Sequence, residues 1–384
     1  MKSNYKLGEL IRNIDVKNKD LHCNNLKGLS MAKEFRASTS NIVGTDLSKY
    51  KIVAYKQFAC DFMSAIRVHK MPIAFNSEME EILVSPAYAV FEVIDENIIL
   101  PEYLMMWFRR SEFDRYADFR SDAAIRGGYG WNELCETEIK LPSLEEQRKI
   151  VQAYKTITDR IELKKEINDN LEATMQAIYK NYFIDFKPFE NEPKQSTKLG
   201  EIPASWQLCK FSDLCELLNG RAYSQEELLS SGKYRVLRVG NFFTKNSWYY
   251  SNMELEDNKY CYPDDLLFCW SASFGLYIWN DVKTIYHYHI WKVDFSKTSL
   301  LYREYIYLYL KQEVEKLSKE GHGSVMAHLT KNGVENLDVI SPPIDIIEEF
   351  HNTILPFIEH KKLLEKEIQQ LTELQDTYLS RLAN

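Results

Sequence analysis

A chain of 384 residues is too long for one ordinary core, so two or more globular domains are expected. No apolar run approaches the roughly 20 residues of a membrane span, and the start, MKSNYKLGEL, lacks a signal peptide's apolar stretch, which makes the cytoplasm the expected compartment. The net charge of −8 argues against a polyanion partner on its face, yet residues 341–384 alone hold 4 Lys+Arg against 8 Asp+Glu, half of the excess, and the rest of the chain is near balance.

Residues 1–140 carry short β-branched and aromatic runs, KYKIVAYKQF and EILVSPAYAVFEVI, bounded by Gly, Pro, Asn and Asp and followed by the more helical LPEYLMMWFRRSEFDRYADFR. Such a texture predicts a mixed α/β domain. Its donor-bearing stretches are SAIRVHKM, with Arg67, His69 and Lys70, and AIRGGYG, with Arg126 and Tyr129. Next, LPSLEEQRKI opens with proline and an acidic first turn, the punctuation of a helix start. From Ile150 the apolar positions advance by four and three through Tyr154, Ile157, Ile161, Leu171, Met175, Ile178 and Tyr182, interrupted by Lys164 and Asn168. That seam predicts a long helix over 141–186 which packs along another helix.

Residues 187–199, polar and proline-bearing, are expected to be a linker. Residues 200–340 then repeat the mixed texture in KYRVLRVGNFF, DDLLFCW and YHYHIWKVDF, followed by the helical LLYREYIYLYLKQEVEKLSKE. Donors fall in NGRAYS (Arg221, Tyr223), in VLRVGNFFTKNSWYY (Arg238, Asn241, Lys245, Asn246) and in CWSASFG (Ser271, Ser273). Finally SPPIDIIEEF opens a second long helix over 341–384, with apolar positions Ile347, Phe350, Ile354, Phe357, Leu364, Ile368, Leu371, Tyr378 and Leu382 and polar breaks at Lys361 and Gln375. Pro356 is expected to kink it.

The order domain, rod, domain, rod is an internal duplication with a period near 200 residues and predicts a pseudo-twofold, mixed α/β protein. A seam this long is hard to cover with a small domain, so the two rods are expected to cover each other as antiparallel helices. Ile150, Ile157, Ile161, Leu171 and Ile178 would do so from the first rod, and Ile354, Leu364, Ile368 and Leu371 from the second.

The ordered set LPSLEEQRKI, YFIDFKPF (Tyr182–Phe189), GEIPASW (Gly200–Trp206) and SPPIDIIEEF resembles the specificity subunits of type I restriction-modification systems over essentially the whole chain. Inside the domains, NIVGTDLSKYKIVAYKQFACDFM and ILVSPAYAVFEV look like one subtype of that family's target-recognition domains, and YRVLRVGNFF with DDLLFCWSASFG like another. The chain departs from the family pattern where Ile346, Ile347 and Glu348 stand in place of the Glu-Gln-Arg present as Glu146, Gln147 and Arg148. The resemblance implies two DNA target-recognition domains and no catalytic centre in this chain, which would read a bipartite, asymmetric DNA site. Partners would be double-stranded DNA, two methyltransferase subunits and restriction-translocation subunits, with S-adenosylmethionine, ATP and Mg²⁺ belonging to those partners and no cofactor to this chain.

The residues give little support to other chemistries. SPPI lacks the aromatic that an amino-methyltransferase stacks on a flipped base, since Ile344 offers no ring. Asp264 or Asp265 with Asp281 and Lys283 fits a loose metal-nuclease pattern, the main alternative; a coiled-coil adaptor without a DNA role is the other. His287 and His289 share a strand face, better read as a structural or DNA-facing pair than as metal ligands. The glycines of RGGYG are too few for a nucleotide cradle, and seven scattered cysteines without a CxxC pair fit reduced thiols rather than disulfides or zinc.

Overall fold

The computed structural model describes residues 3–38, 44–63, 70–122, 129–243, 247–271, 274–320 and 330–382. The chain divides into two compact units, Met1–Lys164 with Glu367–Asn384, and Lys165–Lys366. Each contains a four-stranded antiparallel sheet with helices, built on one plan, and the second adds a mixed four-stranded sheet in the order Tyr249–Ser251, Tyr234–Leu237, Thr284–Tyr286, Tyr260–Cys261. In the first the strands are ordered Ile11–Ile14, Ala89–Val93, Gln57–Cys60, Ile73–Phe75. In the second the order is Glu216–Asn219, Ile290–Asp294, Leu266–Cys269, Gly275–Ile278. First and last strands in sequence are therefore neighbours, with the middle hairpin at one edge, in both units.

The two-residue period of a strand explains why these segments read as apolar runs rather than as alternating ones: both faces are covered. Phe58, Cys60, Ile73 and Phe91 join the core under the helix Pro101–Arg109, while Ala59, Ala74 and Val90 face a second cluster with Leu29, Val53 and Val84. Likewise Leu266, Phe268, Trp291 and Val293 point into the large core of the second unit, and Leu267, Cys269 and Ile290 into a smaller one.

The two long helices are Leu144–Phe183 and Ile344–Arg381, starting 200 residues apart. Within the first unit Gln375 Nε2 donates to Thr158 Oγ1 at 2.7 Å and Lys164 pairs with Glu367. Within the second, Glu172 pairs with Lys361 and Tyr182 Oη donates to Glu349 at 2.8 Å. Ascending positions on one helix meet descending ones on the other, so the segments are antiparallel in each unit. The polar breaks at Lys164, Lys361 and Gln375 are thus paired, which fixes the register. Burial opposes charge on Glu172, but the ammoniums of Lys311 and Lys361 outweigh it and hold the carboxyl below its ordinary value.

Of the seam positions, Ile157, Ile161, Ile354 and Leu364 are buried, whereas Ile150, Leu171, Ile178, Ile368 and Leu371 are only half-buried. Tyr179, Ile358 and Leu379 lie deepest beside the predicted Ile178, Phe357 and Tyr378, because a helix with 3.6 residues per turn drifts against a 3.5-residue pattern. The second helix runs on through Pro356, which sits on its exposed side.

The predicted linker at 187–199 is instead ordered structure of the second unit. Lys187–Phe189 forms a 3₁₀ turn, and Lys194–Thr197 pairs with Gly200–Pro203 as a hairpin whose Gly200 takes φ +105°. Phe189 is 7% exposed, its ring 4.9 Å from that of Trp206. Polar composition concealed this one aromatic anchor.

Where the helix starts differ in sequence, they differ in chemistry too. Gln147 is fully buried: its Oε1 accepts from the Leu100 N–H at 3.0 Å, and its Nε2 donates to the carbonyls of Ile98 (3.0 Å) and Pro142 (3.1 Å). At the matching place Ile347 is equally buried, and the Pro342 carbonyl takes the Tyr302 hydroxyl at 3.3 Å instead. Replacing Gln147 with Leu should cost the first unit about 1–3 kcal/mol by orphaning three backbone groups. Ile347→Gln should destabilise the second unit by about 1–3 kcal/mol, since the added amide finds its carbonyl already occupied. Urea titrations of both variants check this.

Candidate nucleic-acid interface

In the second unit four chain segments carrying polar side chains meet around Tyr286–His289. The Arg221 N–H donates to the Tyr286 carbonyl (3.1 Å) and the Tyr288 N–H to the Arg221 carbonyl (3.0 Å). The His287 N–H donates to Leu237 (2.9 Å), and the Trp270 N–H to His289 (3.2 Å). The loops beginning at Arg221, Arg238 and Trp270 are thereby sewn to one another through the segment that holds His287 and His289. Gly220 permits this approach, because a Cβ there would lie 2.4 Å from the Tyr286 oxygen.

On this frame His287 and Tyr223 stack with ring centroids 6.3 Å apart, and His289 meets the Trp270 ring edge-on at 5.4 Å. Burial, His289 and Arg238 hold His287 down to about 4, and burial with Arg238 lowers His289 as well, so both imidazoles are neutral near pH 7. Arg238 is exposed over the Tyr249 ring at 5.1 Å and has no ion-pair partner among the described residues. Tyr288 is also exposed. A free guanidinium, neutral imidazoles and aromatic faces make a surface suited to phosphates and base edges.

The sequence-predicted donors fare differently. Arg221 is held in a two-pronged ion pair by Glu227 (2.7 and 3.1 Å), and its guanidinium lies over Tyr223. Tyr223 is half-buried in an aromatic cluster, and Ser271 is half-buried at the rim. Asn241 is 8% exposed and closes a turn, accepting from the Arg238 N–H (2.9 Å) and donating to the Ser247 carbonyl (2.8 Å), so it serves the fold rather than standing free at the surface. Tyr129 of the first unit is likewise a core residue, 2% exposed with its hydroxyl 2.9 Å from that of Thr137, where the expectation had it at a surface. Lys70 is exposed. Arg67, His69, Arg126, Lys245, Asn246 and Ser273 lie outside the described residues. Sequence reading passed over Trp270 and Tyr288 as interface residues; the signal was the aromatic interleaving of YHYH and CWS.

The metal-nuclease pattern does not assemble. Asp264, at φ +77°, pairs with Lys362 and Arg303, Asp281 accepts from Arg235 at 2.6 Å, and Lys283 lies over the Tyr260 ring at 3.9 Å. Each carboxylate has its own cation, and the three residues do not converge.

Residues 69–173 and 203–373 match the family of the type I restriction modification DNA specificity domain, which is most of the chain. The chain belongs to that family. Among curated specificity-family relatives, it is 26% identical to the type I restriction enzyme MjaIX specificity subunit of Methanocaldococcus jannaschii over 76% of this chain and 70% of that one. It is 22% identical to the HindI specificity subunit of Haemophilus influenzae, over 80% and 82%. The S subunit of a type I restriction-modification system from M. genitalium shares the fold with a TM-score of 0.55 at 10% identity, over 99% of this chain and 95% of that one. No described helix is long and apolar enough to cross a membrane.

Because His287 is held below its ordinary 6.5, the unfolded chain binds more protons than the folded one between about pH 4 and 6.5. Stability of the second unit is therefore full above pH 6.5 and falls as pH drops towards 4. His287→Gln should flatten that part of the curve, measured by urea denaturation at pH 7.5 and pH 5.

Proposed function

We propose that this chain is the DNA-recognition subunit of a type I restriction-modification complex, reading a bipartite, asymmetric site and directing adenine methylation or restriction by partner subunits. The observation that carries the reading is one sheet plan used twice with unlike loop chemistry, in a chain of the specificity family. Each unit reads one half-site, and the helical turns of the long rods set the number of base pairs between the halves. Methylation and cleavage belong to two methyltransferase subunits and to restriction-translocation subunits, which hold S-adenosylmethionine, ATP and Mg²⁺; this chain acts with them in the cytoplasm and contributes no catalytic group. Arg238, Lys70 and the exposed rings around His287 and His289 are the proposed DNA contacts.

The test is a pair of variants assembled with the methyltransferase subunits, their methylated motifs mapped by single-molecule sequencing. Exchanging residues 200–340 for those of another family member should change one half-site and leave the gap alone. A four-residue insertion before Leu171 adds about 6 Å of helix against about 3.4 Å per base pair, so the gap should lengthen by roughly one to two base pairs with both half-sites unchanged. A swap that altered both halves, or an insertion that altered base identity, would sink the division of labour. Binding by the assembled complex should also weaken by roughly two or more orders of magnitude between about 50 and 200 mM salt, as counterion release demands, and Arg238→Ala should make that dependence shallower.

A further inference from the structure

The first unit contains a buried cation that none of this chemistry uses. Arg110 follows the helix Pro101–Arg109 and is only 8% exposed. Its Nε donates to the Trp107 carbonyl at 3.0 Å, and its guanidinium lies 4.5 Å from the Trp107 ring centroid. That bond caps the end of the helix, where a cation is favoured. Among the described residues Arg110 has no carboxylate within ion-pair distance; nearby Glu112 pairs with Arg115 at 3.3 Å. Arg110 lines a cavity of about 450 Å³ together with Tyr103, Trp107, Ile150 and Leu382, and the exposed Glu138, Lys140 and Arg381 also border it. A buried, unpaired guanidinium disfavours the free folded chain, and burial lowers its pKa, with Glu112 and Tyr103 opposing.

The other half of the duplication shows that the fold does not require this opening. Pro101-Glu102-Tyr103 corresponds to Arg303-Glu304-Tyr305, 202 residues on, which places Gln312 at the position of Arg110 and Tyr309 at that of Trp107. There the gap is closed by two hydroxyls, Tyr305 donating to the Ile340 carbonyl (2.5 Å) and Tyr309 to that of Asp338 (3.1 Å). In the first unit the closure is absent and a charge stands in its place.

We propose that this pocket is a docking site for a partner polypeptide, receiving an aspartate or glutamate side chain on Arg110 and an adjoining apolar side chain against Trp107 and Ile150. The planar guanidinium fork matches a carboxylate, and the apolar walls suit a side chain on a narrow stalk. A duplex phosphate, fixed on a continuous convex strand, does not reach a group this deep. The proposal is independent of the DNA reading, since its probes contain no nucleic acid.

The experiment uses the full chain and two blocked dipeptides, acetyl-Leu-Asp-methylamide and its Leu-Asn counterpart, with sodium phosphate and a DNA duplex as controls. The Asp peptide should raise the melting temperature of the wild-type chain by a few degrees near saturation, and the Asn peptide should not. Arg110→Met should abolish the response. Arg110→Lys keeps the charge without the fork and should respond more weakly than wild type. The proposal is overturned if wild type ignores the Asp peptide or if Arg110→Met responds as wild type does. It is equally overturned if phosphate or duplex DNA stabilises the wild-type chain through Arg110 as much as the Asp peptide.

Discussion

An apolar stripe that runs for 40 residues along one helix has to be buried, and no small domain offers a groove of that length. In both units the solution is to bring in a segment of the other long helix. Met106, Tyr154 and Leu379 share a cluster in the first unit, with Ile150, Val151 and Leu382 packed on it. In the second, Met175, Tyr179 and Phe183 meet Ile347, Phe350, Ile354 and Ile358 inside the main core. The first unit is consequently discontinuous in sequence, Met1–Lys164 being completed by Glu367–Asn384, whereas the second, Lys165–Lys366, is continuous and takes the end of one long helix with the start of the other. A boundary drawn between residues 186 and 200 on composition alone misses this, because the cores divide the helices lengthwise rather than setting them apart.

The duplicated backbone imposes the same obligations twice, and the side chains meet them by different means. The proline carbonyl before each long helix needs a donor, which is Gln147 in one unit and Tyr302 in the other. The helix after each sheet must anchor to the rods. Arg109 reaches the Tyr154 hydroxyl at 3.3 Å, whereas its counterpart Lys311 pairs with Glu172, which also accepts from Tyr307 at 2.9 Å. Backbone geometry is thus more uniform than sequence, since a buried carbonyl requires a hydrogen bond but does not specify whose.

Charge in the second unit follows the same economy. Lys233 pairs with Glu254, Arg235 with Asp281, Arg221 with Glu227, and Lys292 donates to the Tyr260 carbonyl. Most cations near the candidate interface are therefore neutralised within the fold: few charges are left over, and those few are placed. Arg238 is such a charge. Neutral His287 and His289 beside it offer donors and acceptors without adding to the field.

By itself the sequence determined the duplication, the starts and antiparallel pairing of the two helices, the mixed α/β texture of the domains and the family. Periodicity and helix-start chemistry are local, and a residue's place in a four-and-three pattern survives whatever packs against it. The polar breaks in the seam were legible for the same reason, although the residues they would meet were not. Only the tertiary structure decided that Tyr129 and Asn241 are internal, that Arg221 is held by Glu227, that Phe189 anchors the supposed linker, and that Arg110 stands at the foot of a cavity. A side chain's capacity to bind something else depends on which of its hydrogen bonds the fold has already filled. Those partners come from segments distant in sequence, so no local pattern records them.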